Sequence, residues 1–152
     1  MPVAILSITR ALPPSVAQTR RDSCWAAVLE SWTRVAKHLP PRGQAELIAR
    51  WGEGQTGGIT PWIKIPLIAA DLGLQHGGIA PRDALQYIHR HIGGSYIFCA
   101  HAAGAFSHAQ LIYGYDDEAK QVQIMDPAGG RYLVRDFAWF EQQPAGLVMM
   151  RH

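Results

Sequence analysis

Charged residues are scarce in this sequence, and neither sign dominates. Lysine and arginine together number 14 and aspartate and glutamate 12, which gives a net charge of +2 over 152 residues. The basic residues are scattered along the chain, so the positive patch or stripe that attracts a nucleic acid backbone is missing. The composition therefore argues against a nucleic-acid partner.

Long apolar runs are also missing. One of the longest, residues 65–74, is about half of the roughly 18–20 residues that a membrane-spanning helix needs. The apolar stretch near the N-terminus follows no basic leader and is short for a Sec-type signal. We therefore expect a protein that is made in the cytosol and has no membrane contact. Export by a route that reads no such signal stays open.

Cysteine is rare, and metal-binding patterns are absent. Cys24 and Cys99 are the two cysteines, too few for a disulfide framework, and both are expected to be free thiols. Cys99 follows an apolar segment without charged neighbours, which favours a place in the core. His89 and His91 fall on different faces of a predicted helix, a poor arrangement for a metal pair. The sequence predicts neither a metal ion nor another cofactor.

Apolar residues make up 48% of the chain, enough for one folded domain spanning residues 1–152. Helical periodicity and capping residues dominate the first two thirds, and short β-rich segments separated by turns follow. Helices before strands indicate the α+β class, with the helices on one side of an antiparallel sheet. The predicted helices are 22–39, 44–51, a segment between Thr60-Pro61 and Gly73 that Pro66 interrupts or kinks, and 81–91. The predicted strands are 95–101, 107–115, 121–125, 131–134 and 146–150, with a helical turn in 136–142.

Cys24 lies in the first turn of the longest predicted helix. The free N–H groups and the positive dipole end of a helix N-terminus favour a thiolate, which is the nucleophilic form of cysteine. This position is therefore suited to a reactive cysteine. The alternative interpretation is a small buried apolar residue, the commoner environment of a cysteine.

Gln18 precedes Cys24 by a loop of five residues. A side-chain amide there can direct an N–H at the oxygen that becomes negative when a thiolate attacks a carbonyl, and the Cys24 backbone N–H can supply a second donor. Glutamine, five residues and then Cys24-Trp25 at the start of a long helix resembles the papain-like cysteine proteases. Ser23-Cys24-Trp25 matches the second half of the papain signature. The resemblance implies an α+β fold in which the cysteine-bearing helix packs on a C-terminal antiparallel sheet.

His108 opens one predicted strand, and Asp126 ends the next. A hairpin between the two strands returns Asp126 to the neighbourhood of His108. The resemblance then implies a triad in which Cys24 is the nucleophile, His108 the base and Asp126 the group that holds the imidazole. His101 is the competing candidate for the base. The Gly-Tyr-Asp hairpin and the Asp-Pro segment that follow His108 favour it over His101.

The order of these motifs is similar to that in bacterial papain-like peptidases, including the leader-cleaving peptidases of bacteriocin exporters and small injected effector proteases. This implies hydrolysis of a peptide or isopeptide bond in a peptide or protein substrate, through a thioester acyl-enzyme. A bacterial effector or toxin with an inhibitory, immunity-type partner fits the same resemblance. Three alternatives stay open: an amidase acting on peptidoglycan peptides, a transglutaminase-like or other acyltransferase, and a catalytically inactive peptide-binding domain. Many such amidases carry a second histidine where this chain has Asp126.

Overall fold

The computed structural model describes residues 7–103 and 106–152. Its first half contains one short strand and three helices. The first of these helices is shorter than the predicted 22–39. At Ala36 the backbone adopts an extended conformation (φ −86°, ψ 109°), which ends that helix. Pro66 lies inside the third helix, and Gly73 ends this helix in the left-handed conformation (φ 68°). The elements are β1 (Ser7–Thr9), α1 (Cys24–Val35), α2 (Gln44–Trp51) and α3 (Pro61–Leu72).

The second half contains the main sheet. The predicted helix 81–91 is confirmed with the same bounds, and Pro81 begins it. The predicted strands and helical turn are present within one or two residues of their expected ends, whereas the strand before the helix was not predicted. The elements are β2 (Gln75–Ile79), α4 (Pro81–His91), β3 (Ile97–Ala103), β4 (Phe106–Asp116), β5 (Gln121–Asp126), β6 (Arg131–Asp136), α5 (Phe137–Glu141) and β7 (Leu147–Arg151).

The strands form a single antiparallel sheet in the order β2-β7-β3-β4-β5-β6, and β1 pairs with the far end of β4. Strands β3 to β6 form the predicted meander. The last strand returns between β2 and β3, where His76 pairs with Met150. Gly77 and Gly78 give β2 no alternating apolar pattern, so its strand conformation depends on pairing with a segment about 70 residues away in sequence.

Helices cover both faces of the sheet, so the expected one-sided arrangement is wrong. Helices α1 to α3 share one apolar cluster with the face that includes Phe98 and Leu111. Helices α4 and α5 share a second cluster with the face that includes Ile97 and Ile112. Successive residues of the central strands are apolar, and because successive side chains point to opposite faces, both faces require a cover.

The start of α1 faces the ends of β3 and β4. Cys24, at this start, lines an open cleft of about 680 Å³ together with Ala100 and Ala109 from the two strands. The fold therefore brings the predicted nucleophile to the end of the strand that carries His108. In the two described ranges, no helix is long and apolar enough to cross a membrane.

Candidate active site

Cys24 is the first residue of α1, as its sequence position predicts, and it is mostly buried where it lines the cleft. Ser23 precedes it at the N-cap position but is fully buried and does not cap the helix. Its hydroxyl accepts a hydrogen bond from the Arg20 N–H at 3.0 Å. The first turn of α1 therefore keeps backbone N–H groups without a side-chain cap, beside the sulfur.

His108 and Asp126 form a close pair on neighbouring strands. Nε2 of His108 lies 2.8 Å from Oδ1 of Asp126. The carboxylate is almost fully enclosed, whereas about one fifth of the imidazole is exposed. Asp126 accepts two further hydrogen bonds, from Nε2 of Gln110 and from the N–H of Ala128, both at 2.8 Å. These contacts fix the carboxylate and, through it, the orientation of the imidazole.

The electrostatics of the pair favour an ionised state. Burial acts to lower the pKa of His108, but the hydrogen bonds to Asp126 and Cys24 and the charges of both groups raise it to about 9. Burial acts to raise the pKa of Asp126, but the hydrogen bonds from His108, Ala128 and Gln110 lower it to about 2. An imidazolium paired with a carboxylate is therefore the stable form at neutral pH. Because Nε2 serves Asp126, Nδ1 is the ring nitrogen left for Cys24.

His101, the competing base candidate, lies directly opposite His108 on β3. The two rings are perpendicular with centroids 5.7 Å apart, and the His101 ring also contacts Trp139 at 4.8 Å. Burial lowers the pKa of His101 to about 4, and the positive charges of His108 and Arg135 add to this effect. His101 is therefore neutral at neutral pH, and the histidine paired with the carboxylate is His108.

Gln18 is the predicted oxyanion donor, and its amide hydrogens have partners inside its own loop. Its Nε2 donates to the backbone oxygens of Arg20 at 3.1 Å and Arg21 at 2.7 Å. Its own N–H donates to the backbone oxygen of Pro127 at 2.9 Å, which ties the loop to the turn after Asp126. For Gln18 to donate a hydrogen bond to an oxyanion, its amide must first break one of its hydrogen bonds to these two carbonyl oxygens. The assignment of Gln18 as an oxyanion donor stays a prediction.

The turn after Asp126 is shaped to accept this loop. Gly130 has a positive φ of 61°, and a Cβ there would lie 2.8 Å from Oγ of Ser15 and 3.0 Å from the N of Ala17. A larger residue would push the loop away, so glycine permits the close approach. The hydroxyl of Ser15 donates to the Gly130 backbone oxygen. The segment that carries Gln18 is thus packed onto the turn that follows Asp126.

Two buried glutamines belong to the site and were not predicted. Gln110 follows His108 by two residues on a strand, and this spacing, which places both on one face, was the signal that could have identified it. Gln44 accepts hydrogen bonds from the loop before Cys24, and no local pattern marks it.

Cys99, predicted to be a core residue, is 3% exposed, and burial raises its pKa to about 12. In residues 7–103 and 106–152, no group of three or more metal-ligating side chains is present.

The comparisons with known proteins concern most of the chain. A family model described as papain-like cysteine protease AvrRpt2 matches residues 6–145. The peptidase domain of Streptococcus ComA, a bifunctional ABC transporter involved in a quorum-sensing pathway, superimposes with a TM-score of 0.66 at 22% identity, covering 92% of this chain and 98% of that one. A double glycine motif protease from an AMS/PCAT transporter, solved in complex with the leader peptide, gives a TM-score of 0.64 at 18% identity and 99% coverage of both chains. At these identities the likenesses concern the fold. No curated protein sequence matches the chain significantly.

Proposed function

The chain belongs to the papain-like cysteine protease family, and we propose that it hydrolyses a peptide or isopeptide bond through Cys24, His108 and Asp126. The observation that carries this assignment is the 2.8 Å contact between His108 and Asp126 beside a cysteine at a helix N-terminus. That arrangement supplies a nucleophile, a proton acceptor and an orienting anion next to one another.

The first half of the reaction forms a thioester. In the resting state the thiol proton of Cys24 is already on Nδ1 of His108, and the thiolate sulfur attacks the carbonyl carbon of the scissile bond. The resulting oxyanion receives hydrogen bonds from the Cys24 N–H and from Gln18 once its amide has turned. As the carbon–nitrogen bond breaks, the imidazolium gives its proton to the leaving amine.

The second half hydrolyses the thioester. His108 takes a proton from water, whose oxygen attacks the thioester carbonyl. The carbon–sulfur bond breaks, the acid product leaves, and the sulfur and imidazole return to their starting states. Asp126 stays ionised throughout and holds the imidazole with Nδ1 toward the sulfur.

Cysteine labelling tests the assignment without a known substrate. We expect iodoacetamide to label Cys24 much faster than Cys99 at neutral pH, and His108→Ala to remove this advantage. His76→Ala, on the exposed strand β2, is the matched control and should leave the labelling rates unchanged. Mass spectrometry of the labelled peptides gives both rates in one sample. Equal rates at the two cysteines, or a Cys24 rate that His108→Ala leaves intact, would contradict the triad.

Cleavage of a peptide library distinguishes the proposal from its alternatives. A peptidase releases fragments, and Cys24→Ala abolishes their release. An acyltransferase incorporates an added amine into the product, an amidase releases fragments from peptidoglycan peptides alone, and an inactive binding domain releases nothing while still binding peptide. The presence of Asp126 at the orienting position supports a peptidase over the amidases that use a second histidine there.

The biological role within the proposal is that of a bacterial effector or toxin acting on a peptide or protein substrate. Its support is the family resemblance. Such a protein requires an inhibitory partner in the cell that makes it. Affinity capture of Cys24→Ala from a producing cell should retain an inhibitor, and secreted medium should contain the protein. A protein that accumulates harmlessly in its own cytosol with no secreted pool would exclude this role.

A further inference from the structure

We propose that Gln44, the first residue of α2, is a positioning residue for the reaction at Cys24. Its side-chain amide fixes the segment 17–23, which carries Gln18 and leads into α1. This inference rests on the proposed function and adds to it a residue that lies about 20 positions after the nucleophile in sequence.

The amide of Gln44 binds this segment on both sides of Gln18. Its Oε1 accepts hydrogen bonds from the Thr19 N–H at 2.8 Å and from the Ser23 hydroxyl at 2.9 Å, with the Thr19 hydroxyl farther away at 3.3 Å. Its Nε2 donates to the Ala17 backbone oxygen at 3.1 Å. The residue as a whole is 5% exposed. One side chain therefore holds the residues before and after Gln18 and the residue directly before Cys24.

The position of Gln44 is itself set by α1. Its backbone N–H lies at the start of α2 and has no partner within that helix. It donates to Oε1 of Glu30 on α1 at 2.9 Å. The N-cap residue of α2 is Gly43, which has no side chain to cap the helix. Glu30 takes that role from another helix. Helix α1 thus orients the residue that in turn fixes the start of α1.

The carboxamide group is specifically required by these contacts. It combines an acceptor with two lone pairs and a donor on one rigid plane. A glutamate retains the acceptor for Thr19 and Ser23 but has no hydrogen for the Ala17 oxygen. A methionine fills a similar volume but leaves the Thr19 N–H, the Ser23 hydroxyl and the Ala17 oxygen without this partner.

The two reactions available to Cys24 depend differently on this segment. Alkylation by iodoacetamide forms a carbon–sulfur bond and releases iodide, and no oxyanion develops. Acylation by p-nitrophenyl acetate forms a thioester and releases p-nitrophenolate through a tetrahedral oxyanion. Hydrogen-bond donors stabilise that oxyanion only when they are placed closely. A residue that positions the segment should therefore affect acylation much more than alkylation.

The test compares both rates in the full chain for the wild type, Gln44→Met, Gln44→Glu and a control, Gln75→Met, at an exposed glutamine of β2. We expect the acylation burst of Gln44→Met to fall on the order of 10²-fold, with a much smaller fall in the alkylation rate. Gln44→Glu, which retains the acceptor, should recover part of the acylation rate. Gln75→Met should match the wild type in both reactions. Circular dichroism and thermal unfolding check that each variant is folded.

Each remaining outcome contradicts the inference. Equal falls in both rates would show that Gln44 supports the fold generally, and unchanged rates would show that it does not position the site. If Gln44→Met does not fold, the ratio of the two rates in Gln44→Glu decides: a ratio equal to that of the wild type overturns the inference. A wild-type protein that releases no nitrophenolate contradicts the proposed function itself, and that result appears before any substitution at Gln44.

Discussion

His101 and His108 are the same residue type at directly opposite positions of two paired strands, yet their proton affinities differ widely. The pKa of His101 is lowered to about 4, and that of His108 is raised to about 9. Their ring centroids are 5.7 Å apart. Neither strand position nor the general environment therefore explains the difference in pKa. The comparison shows that the immediate partners of each ring determine its charge.

Burial acts on both rings in the same direction, toward the neutral form. His108 overcomes it because Asp126 and Cys24 accept hydrogen bonds and place negative charge beside the ring. His101 faces Trp139, over whose ring the Arg135 guanidinium lies at 4.3 Å. A proton on His101 would be buried near two positive charges. His108, which is charged, is thus suited to proton transfer with Cys24. His101, which is neutral, lies on β3 and packs against Trp139 of α5.

The largest expected effect comes from replacing each of the two histidines in a separate variant. His108→Ala removes the proton acceptor and should lower kcat/KM for a cleaved peptide on the order of 10³-fold or more. His101→Phe preserves an aromatic ring against Trp139 and should lower kcat/KM far less. Steady-state cleavage of one peptide by both variants measures the difference. A greater loss in His101→Phe would reverse the assignment of the base.

Asp126→Asn should remove most of the difference between the histidines. Without the carboxylate, burial dominates, and the pKa of His108 should fall to or below the usual 6.5. The loss of the imidazole orientation should also lower kcat by ~10²–10⁴-fold. Titration of the imidazole proton signals by NMR measures the pKa. Asp83→Asn, on the exposed side of α4, is the matched control, and a high His108 pKa that survives Asp126→Asn would show that another group is responsible.

Much of this arrangement follows from local sequence, and the rest depends on long-range contacts. Proline and glycine mark the bounds of α4, and a motif spacing of a few residues marks Gln18 and Cys24. The motifs that follow His108 favour it as the base, but no local signal predicts that His101 and His108 differ in charge, since each lies near the end of a β-rich segment.

Strand register and side chains from distant elements account for that difference. The register places the two histidines opposite each other, and Trp139 and Arg135 come from more than 25 residues downstream. The strand β2 and the contacts of Gln44 depend in the same way on partners that are distant in sequence. Local pattern can therefore identify the candidate reacting groups more readily than the groups that set their charge and position.

The two histidines should also make opposite contributions to the pH dependence of stability. The raised pKa of His108 stabilises the fold fully below pH ~6.5, and this contribution is lost as the pH rises through about 9. The lowered pKa of Asp126 stabilises it above pH ~3.8, and this is lost as the pH falls through about 2. His101 has a lowered pKa, so the unfolded chain binds its proton first and stability falls between pH ~6.5 and about 4.

Urea denaturation across this pH range separates the contributions. His101→Phe should flatten the loss on the acid side between pH ~6.5 and ~4, and His108→Phe should flatten the loss on the alkaline side between pH ~6.5 and ~9. Each variant serves as the control for the other, because the slope that one changes should persist in the other. A single variant that altered both slopes equally would mean that the two rings do not titrate as separate groups.

The smallest expected effect concerns Arg135, the weaker of the two positive charges that lower the pKa of His101. Arg135→Met keeps an apolar side chain beside Trp139 and removes the guanidinium, so the pKa of His101 should rise. The rise should be modest, because burial is the main cause of the lowered pKa and His108 contributes more than Arg135 does. The pKa of His108 should stay near its wild-type value, since the groups that raise it, Asp126 and Cys24, are untouched. Parallel NMR titration of both rings measures this, and a larger change at His108 than at His101 would show that Arg135 acts on the triad itself.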